Sequence, residues 1–290
     1  MLRRLADILS MIKFSHTLFA LPFALLGAAL AASGPEGVRG RPQDWLGILL
    51  CMVTARSAAM AFNRVVDARI DADNPRTAGR HIPSGKLSTA SVAAFTVATS
   101  LAFLASTLLF LPNPWPLRLA LPVLAWLLGY SYAKRFTSLA HFWLGVALAA
   151  APCCAWVALR GRLDWPPVAL GCAVLFWVAG FDIIYACQDE AFDRARGLRS
   201  VPARLGAKNA LRLAAFCHAL TVLALVATGL ATPLGVIYFV GVAAAAALLV
   251  YEHALVRPDN LARVNVAFFQ VNIAISLGLL AVGLADLWFR

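Results

Sequence analysis

The sequence predicts an all-α polytopic membrane protein, a single domain over residues 1–290 built as a bundle of about nine transmembrane helices. Three observations predict it. The chain is 61% hydrophobic and 13% charged, with a mean hydropathy of +0.78, where a soluble domain is roughly 45–50% apolar and about 25% charged. Several apolar runs reach or approach the ~20 residues a helix needs to cross a bilayer. The basic residues gather in alternate loops between those runs.

Taken in order, residues 2–13 read as a short amphipathic lead-in carrying Arg3, Arg4 and Lys13, with no cleavage-site pattern, so the N-terminus is expected to be retained. The first span covers 14–33 and is followed by a Gly/Pro/Arg loop. The second covers 45–66, and the third 88–111, closed by the helix-breaking Pro112-Asn-Pro-Trp-Pro116. The fourth and fifth cover 117–133 and 139–159. A short turn leads to the sixth, 168–187. The seventh, eighth and ninth cover 210–230, 233–253 and 264–287.

Nine spans put the termini on opposite sides. With that count 18 of the basic residues fall on the side of the N-terminus and 6 on the other, Arg56 lying inside a span. The positive-inside rule then makes the N-terminus and the loops after spans two and six cytoplasmic. The net charge of +11 is accounted for by this distribution and not by nucleic-acid binding. The six cysteines all fall in apolar stretches without metal-ligand spacing and read as small buried hydrophobes. The five histidines form no ligand spacing either and read as structural or interfacial.

Two acidic clusters carry the chemistry. At the end of the second span Asn63, Asp67 and Asp71 are spaced i, i+4, i+8, which on a helix stacks their oxygens on one face. Arg76 and Arg80 follow at once. The sixth span ends in a similar layout, with Asp189 and Asp193 at i, i+4, Asp182 seven residues before Asp189, and a basic loop after them. Acidic stripes where apolar helices leave a bilayer are costly without cations. Facing carboxylate stripes repel unless cations lie between them. Mg2+ fits, since it prefers oxygen ligands and commonly bridges carboxylates to substrate phosphates. Asp73 and Glu190 break the i+4 register and read equally well as solvated loop charges. Asp182 lies deeper, where pairing with a buried base competes with a catalytic role.

These residues resemble the paired aspartate-rich motifs of the intramembrane UbiA-type prenyltransferases. Tyr130-x3-Lys134-Arg135 between spans four and five is similar to that family's Tyr-x3-Lys-Arg segment. Asn74-Pro-Arg76-Thr-x2-Arg80-x2-Pro83-x-Gly85 resembles the loop after its first motif. One position departs: many members have Asp after the motif Asn, where this chain has Arg64. The resemblance implies a nine-helix bundle around a central cavity. It also implies Mg2+-dependent transfer of a prenyl group from a polyprenyl diphosphate to an aromatic acceptor at the membrane. The texture around Arg80 and Asp189 looks most like 4-hydroxybenzoate polyprenyltransferases of ubiquinone biosynthesis and their menaquinone relatives of the futalosine route, which act on 1,4-dihydroxy-6-naphthoate. An inner-membrane location follows from that likeness.

The resemblance assigns Asn63, Asp67, Asp71, Asp189 and Asp193 to Mg2+, the four aspartates being the catalytic set. It assigns Arg76, Arg80, Tyr130, Lys134 and Arg135 to substrate binding. Arg56, two turns before Asn63 on the same face, is a further substrate-binding candidate, because an arginine inside a span is rarely idle; pairing with Asp182 is the alternative. Phe62, Tyr130, Tyr132, Phe181 and Tyr185 lie near the motif ends. They suit either bundle packing or the shielding of an allylic cation. A cation-coupled transporter is the rival of another class; its sites usually lie near the midplane, whereas these acids sit at cytoplasmic helix ends.

Overall fold

The computed structural model describes residues 2–13, 17–33, 38 and 40–289. The helices in chain order are α1 (Leu2–Met11), α2 (Thr17–Ala32), α3 (Pro42–Val66), α4 (Ala68–Asp73), α5 (Thr89–Ser106), α6 (Trp115–Phe136), α7 (Ala140–Arg160), α8 (Trp165–Ala186), α9 (Glu190–Ala195), α10 (Val201–Leu230), α11 (Val236–Leu255) and α12 (Asn272–Trp288). A 3-10 turn, Thr107–Phe110, extends α5; another, Cys187–Asp189, joins α8 to α9; a π-turn, Val266–Val271, leads into α12. Among the described residues there is no strand, only an isolated bridge between Arg257 and Asn260.

Helix starts follow the local sequence. Ser88 and Ser200 sit in extended backbone and accept hydrogen bonds from Ser91 N and Ala203 N, capping α5 and α10. The seventh span, expected from 210, therefore begins at Val201. Pro202 lies in the first turn of α10, a position where its missing N–H costs nothing. Residues 14–16 of the first predicted span, with Arg39 and Arg290 of the charge distribution, lie outside the described residues.

Among the described residues seven helices are long and apolar enough to cross a membrane by length and composition: α3, α5 with its 3-10 turn, α7, α8 continued to Ala195, α10, α11, and α12 with its π-turn. The first and fourth predicted spans correspond to α2, a shorter apolar helix, and α6, which carries Pro122. Large apolar side chains such as Leu121, Leu223, Val236, Val240 and Val250 point outward along these helices, as lipid-facing surfaces require.

The chain divides into two compact units. The first is Met1–Thr17 with Pro42–Tyr132. Here α3 packs against α5 and α6 through Ala55, Ala58, Phe103, Ala120 and Leu124, and α1 contributes Met11 to a second cluster with Ala61, Leu87 and Val92. The second unit is Leu18–Arg41 with Ala133–Arg290. At its centre runs α8, whose Trp177, Phe181, Ile183 and Ile184 are fully buried. α7 reaches α8 through Gly145, where an added Cβ would lie 2.5 Å from the Leu175 carbonyl oxygen. Small residues allow this closeness between helices.

Candidate active site

In the first unit the Asn63–Asp67–Asp71 spacing is retained, but not on one continuous helix. α3 ends at Val66 and α4 starts at Ala68, with Asp67 between them at φ −92°, ψ 2°. Backbone bonds from Asp67 N to Asn63 O (2.9 Å) and from Asp71 N to Asp67 O (2.8 Å) bridge the break and preserve the register. Asp67 and Asp71 are each only 3% exposed. Asn63 Nδ2 donates to Asp67 Oδ2 at 2.9 Å, leaving the Asn63 carbonyl oxygen toward Arg64 Nη1 at 3.4 Å.

Arg80 Nη1 donates to both oxygens of Asp71, at 2.6 and 2.7 Å. Arg64 Nη1 lies 3.9 Å from the same carboxylate. The loop that brings Arg80 back is built by Asn74 Oδ1, which accepts from Arg76 N, and by Thr77 Oγ1, which donates to Asp71 O. Lys13 joins this group. It keeps solvent access, yet crowding of its ammonium by protein, and then repulsion from Arg64, Arg80 and Arg76, lowers its pKa from the ordinary lysine value. Arg80 and Arg64 thus face the buried Asp71 carboxylate, and Lys13 lies within electrostatic reach of Arg64, Arg80 and Arg76, a concentration of positive charge that an anion would relieve. Asp73 and Arg76 are exposed. Arg56 lies two turns deeper on α3, and its Nε is buried with no hydrogen-bond partner among the described residues. Phe62 packs edge-on against Tyr132, ring centroids 6.0 Å apart.

The second unit repeats the local plan. α8 gives way to a 3-10 turn, and Asp189 stands at φ −103°, ψ 5° before the six-residue α9. Asp193 lies one turn into α9, as Asp71 does in the six-residue α4. Both break residues occupy the sparsely populated bridge region of backbone space. Asp193 is buried, accepts a hydrogen bond from the Ser200 hydroxyl, and lies within the electrostatic reach of Lys134, Asp189 and His141. Glu190 is a structural tie: Oε1 accepts from Arg194 Nη2 and Oε2 from Ala207 N, both at 2.9 Å.

The Tyr-x3-Lys-Arg segment lies on α6 across the boundary of the units, half-buried Tyr130 in the first and Lys134 and Arg135 in the second. Arg199 N donates to Lys134 O and Arg199 Nη1 to Phe136 O, each at 2.7 Å, lashing the loop after the second motif to the end of α6. Asp182 is paired with His141, Nδ1 to Oδ2 at 2.7 Å, while His141 Nε2 accepts from Val201 N at 3.3 Å. The sequence left Asp182 between a buried base and catalysis; its partner here is that base. Tyr185 stacks on Phe268 at 4.3 Å, and Phe181 meets the same ring edge-on at 5.3 Å.

Lys13, His141, Ser200 and Phe268 were not singled out from sequence. Lys13 alone left a signal, a basic residue at the end of the lead-in segment. His141 and Phe268 are joined to the motif segment by contacts across tens of residues, and Ser200 to Asp193 from seven residues on. Among the described residues no group of three or more His, Cys, Asp or Glu is arranged to hold a metal ion. The donor set nevertheless suits Mg2+, which uses one or two carboxylates with waters and substrate phosphates in place of an all-protein cage.

Comparison with known proteins agrees with the all-helical membrane fold. A model described as the UbiA prenyltransferase family matches residues 20–284. A 4-hydroxybenzoate octaprenyltransferase of Nitrosospira multiformis is 30% identical over 86% of this chain and 83% of its own. One of Thiobacillus denitrificans is 32% identical over 74% and 73%. The apo structure of a UbiA homolog from Aeropyrum pernix K1 superposes with a TM-score of 0.83 at 35% identity, covering 93% of this chain and 98% of that one. A UbiA homolog from Archaeoglobus fulgidus, solved bound to DMAPP and Mg2+, shares the fold at a TM-score of 0.72 and 18% identity, covering 98% and 100%.

Proposed function

Because the chain belongs to the UbiA prenyltransferase family, we propose that it transfers a polyprenyl group from a polyprenyl diphosphate to 4-hydroxybenzoate, in a Mg2+-dependent step of quinone biosynthesis. It is a multi-pass membrane transferase. We place it in the inner membrane as one catalytic domain, with its N-terminus and both motif loops cytoplasmic. The observation that carries the reading is the doubled motif: an aspartate at a bridge-region break, a second aspartate one turn into a short helix, and arginines or a lysine beside it.

Asp67, Asp71, Asp189 and Asp193, with Asn63, would hold Mg2+. When bound, the ion neutralises charge on the departing diphosphate. Arg80, Arg76, Lys134 and Arg135 bind and orient that diphosphate, Arg80 with a guanidinium suited to two oxygens at once. Arg56 is a counter-charge inside the span for the carboxylate of the acceptor. The apolar helices around the motifs exclude water from an allylic cation. The relatives named above support this reading through their 4-hydroxybenzoate octaprenyltransferase activity, and the DMAPP- and Mg2+-bound neighbour supports the donor and the ion.

The test is purified full-length protein with geranyl diphosphate, Mg2+ and 4-hydroxybenzoate, set beside 1,4-dihydroxy-6-naphthoate. Prenylated 4-hydroxybenzoate is the expected product. Turnover of the naphthoate alone would move the enzyme to the futalosine route. Absence of diphosphate release with either acceptor would refute prenyl transfer altogether.

A further inference from the structure

A buried polar chain lies on the far side of the Tyr185–Phe268 stack. Glu252 on α11 and Asn272 at the start of α12 are both 0% exposed. Asn272 Oδ1 accepts from Trp177 Nε1 at 2.6 Å. Its amide nitrogen lies 3.1 Å from each of three acceptors: Glu252 Oε1, Ala267 O and Phe268 O. Glu252 Oε2 has no hydrogen-bond partner among the described residues. Unsatisfied polar atoms in an apolar interior are costly, so such a network persists where it fixes something.

What it fixes is the π-turn. Val266–Val271 carries one residue more than an α-helical turn would, and π-turns concentrate at functional sites. The two N–H groups of the Asn272 amide lie within reach of two carbonyls of that turn, Ala267 O and Phe268 O, as well as of Glu252 Oε1. Reversion to an α-turn would rotate the preceding side chains by about 100° around the axis. Phe268 would then leave its place against Tyr185, Phe181 and Phe19, where its ring is 4.3, 5.3 and 5.6 Å away. Tyr185 lies one turn before Asp189, and both rings of the stack are only half-buried.

We infer that Glu252 and Asn272 are positioning residues: through the π-turn they seat Phe268 on Tyr185 beside the second motif, and that aromatic pair governs how the allylic cation is divided between the acceptor ring and water. The inference rests on the prenyl-transfer reading above. In that reaction the prenyl C–O bond breaks with its electron pair left on diphosphate. The cation's terminal carbon then bonds either to a ring carbon, which loses its proton, or to water, which gives prenyl alcohol and a proton. An aromatic face stabilises the cation and occupies the volume that water would need.

The experiment uses the full chain in lipid nanodiscs with geranyl diphosphate, Mg2+ and 4-hydroxybenzoate. It measures prenylated product, free geraniol, and KM for geranyl diphosphate. Asn272→Ala and Phe268→Leu are expected to raise the geraniol share about fivefold, the size of one cation–π contact, with KM unchanged. Glu252→Gln keeps a carbonyl acceptor for Asn272 and is expected to stay near wild type, while Glu252→Leu behaves like Asn272→Ala. Should Asn272→Ala fail to fold, Phe268→Leu and the Glu252 pair still decide. Product loss with an unchanged geraniol share in Phe268→Leu would reduce the stack to bundle packing and overturn the inference. Wild-type protein that releases no diphosphate would overturn the proposed function itself, a distinct result.

Discussion

Asp67 and Asp189 occupy nearly the same backbone conformation, φ −92°, ψ 2° and φ −103°, ψ 5°, each after a long helix and before a six-residue one. A carboxylate at such a break is aimed by the backbone and not by a flexible stem. Asp67→Ala and Asp189→Ala are each expected to reduce turnover by about 100-fold or more, the scale of losing a group that stabilises developing charge, with insertion and melting behaviour preserved. Near-normal Mg2+-dependent rates in either variant would remove it from the ligand set. Arg80 gives a graded case. Replacing it with Ala removes a charge-assisted contact to Asp71 and, on the proposed function, a donor for diphosphate, and KM for the diphosphate should rise by roughly 10- to 100-fold. Arg80→Lys should recover only part, since an ammonium cannot reproduce the guanidinium geometry. The i, i+4, i+8 spacing made these positions legible before any coordinates. The break at Asp67 was not legible, because no Gly or Pro marks it. Asn272 and Glu252 carried no periodic signal at all: their partners lie 95 and 20 residues away, and only the packed chain brings them together.

At the level of elements, the second motif depends on how α10 begins. Ser200 both caps α10 and donates to Asp193, and Glu190 accepts from Ala207 N just beyond Gly206, which sits at φ 75°, ψ 156°. That conformation is open to glycine and closed to residues with a Cβ. Gly206→Ala should cost about 1–3 kcal/mol of stability and loosen the 189–200 segment, seen as a lower melting temperature with a raised Mg2+ requirement. A lowered melting temperature with an unchanged Mg2+ requirement would separate the kink from the motif. The loop after the first motif allows a test by pH. Burial lowers the pKa of His81, Asp7 opposes that shift, and Lys86 and Arg64 reinforce it. The folded state therefore binds the proton more weakly than the unfolded chain, whose histidine titrates near pH 6.5. This contribution is neutral above that value and destabilising as pH falls through it. Wild type should lose more thermal stability than His81→Gln between pH 7.5 and 5.5. Equal losses would show that His81 does not sense its surroundings. The sequence read α10 as starting nine residues late because a basic, Pro-containing stretch resembles a loop; the Ser200 cap overrides that composition.

For the molecule as a whole, the charge distribution makes the boldest claim. Eighteen of the lysines and arginines fall on one side of the predicted spans and six on the other, and the bias of short loops sets orientation during insertion. Both motif loops belong to the basic side of the predicted spans, where, on the proposed function, the charged diphosphate head group and Mg2+ would be available and where the electrostatic cost of holding bare aspartates is offset by neighbouring arginines. Substrate access and insertion physics thus demand the same orientation for independent reasons. The prediction can be read without an activity assay. The native cysteines lie in or beside apolar helices, half-buried or buried, so a single new cysteine on an exposed loop reports cleanly against them. Gly79→Cys, in the loop after the first motif, has nothing within 4 Å of its added Cβ and should react with a membrane-impermeant maleimide in inverted vesicles and not in right-side-out ones. Leu163→Cys, exposed in the turn between α7 and α8, should show the reverse. Labelling of both from the same face would mean that an even number of crossings separates them, which the predicted order of spans forbids. Labelling of each from the face opposite to its prediction would keep the order but invert the protein, leaving the diphosphate site facing away from its substrate.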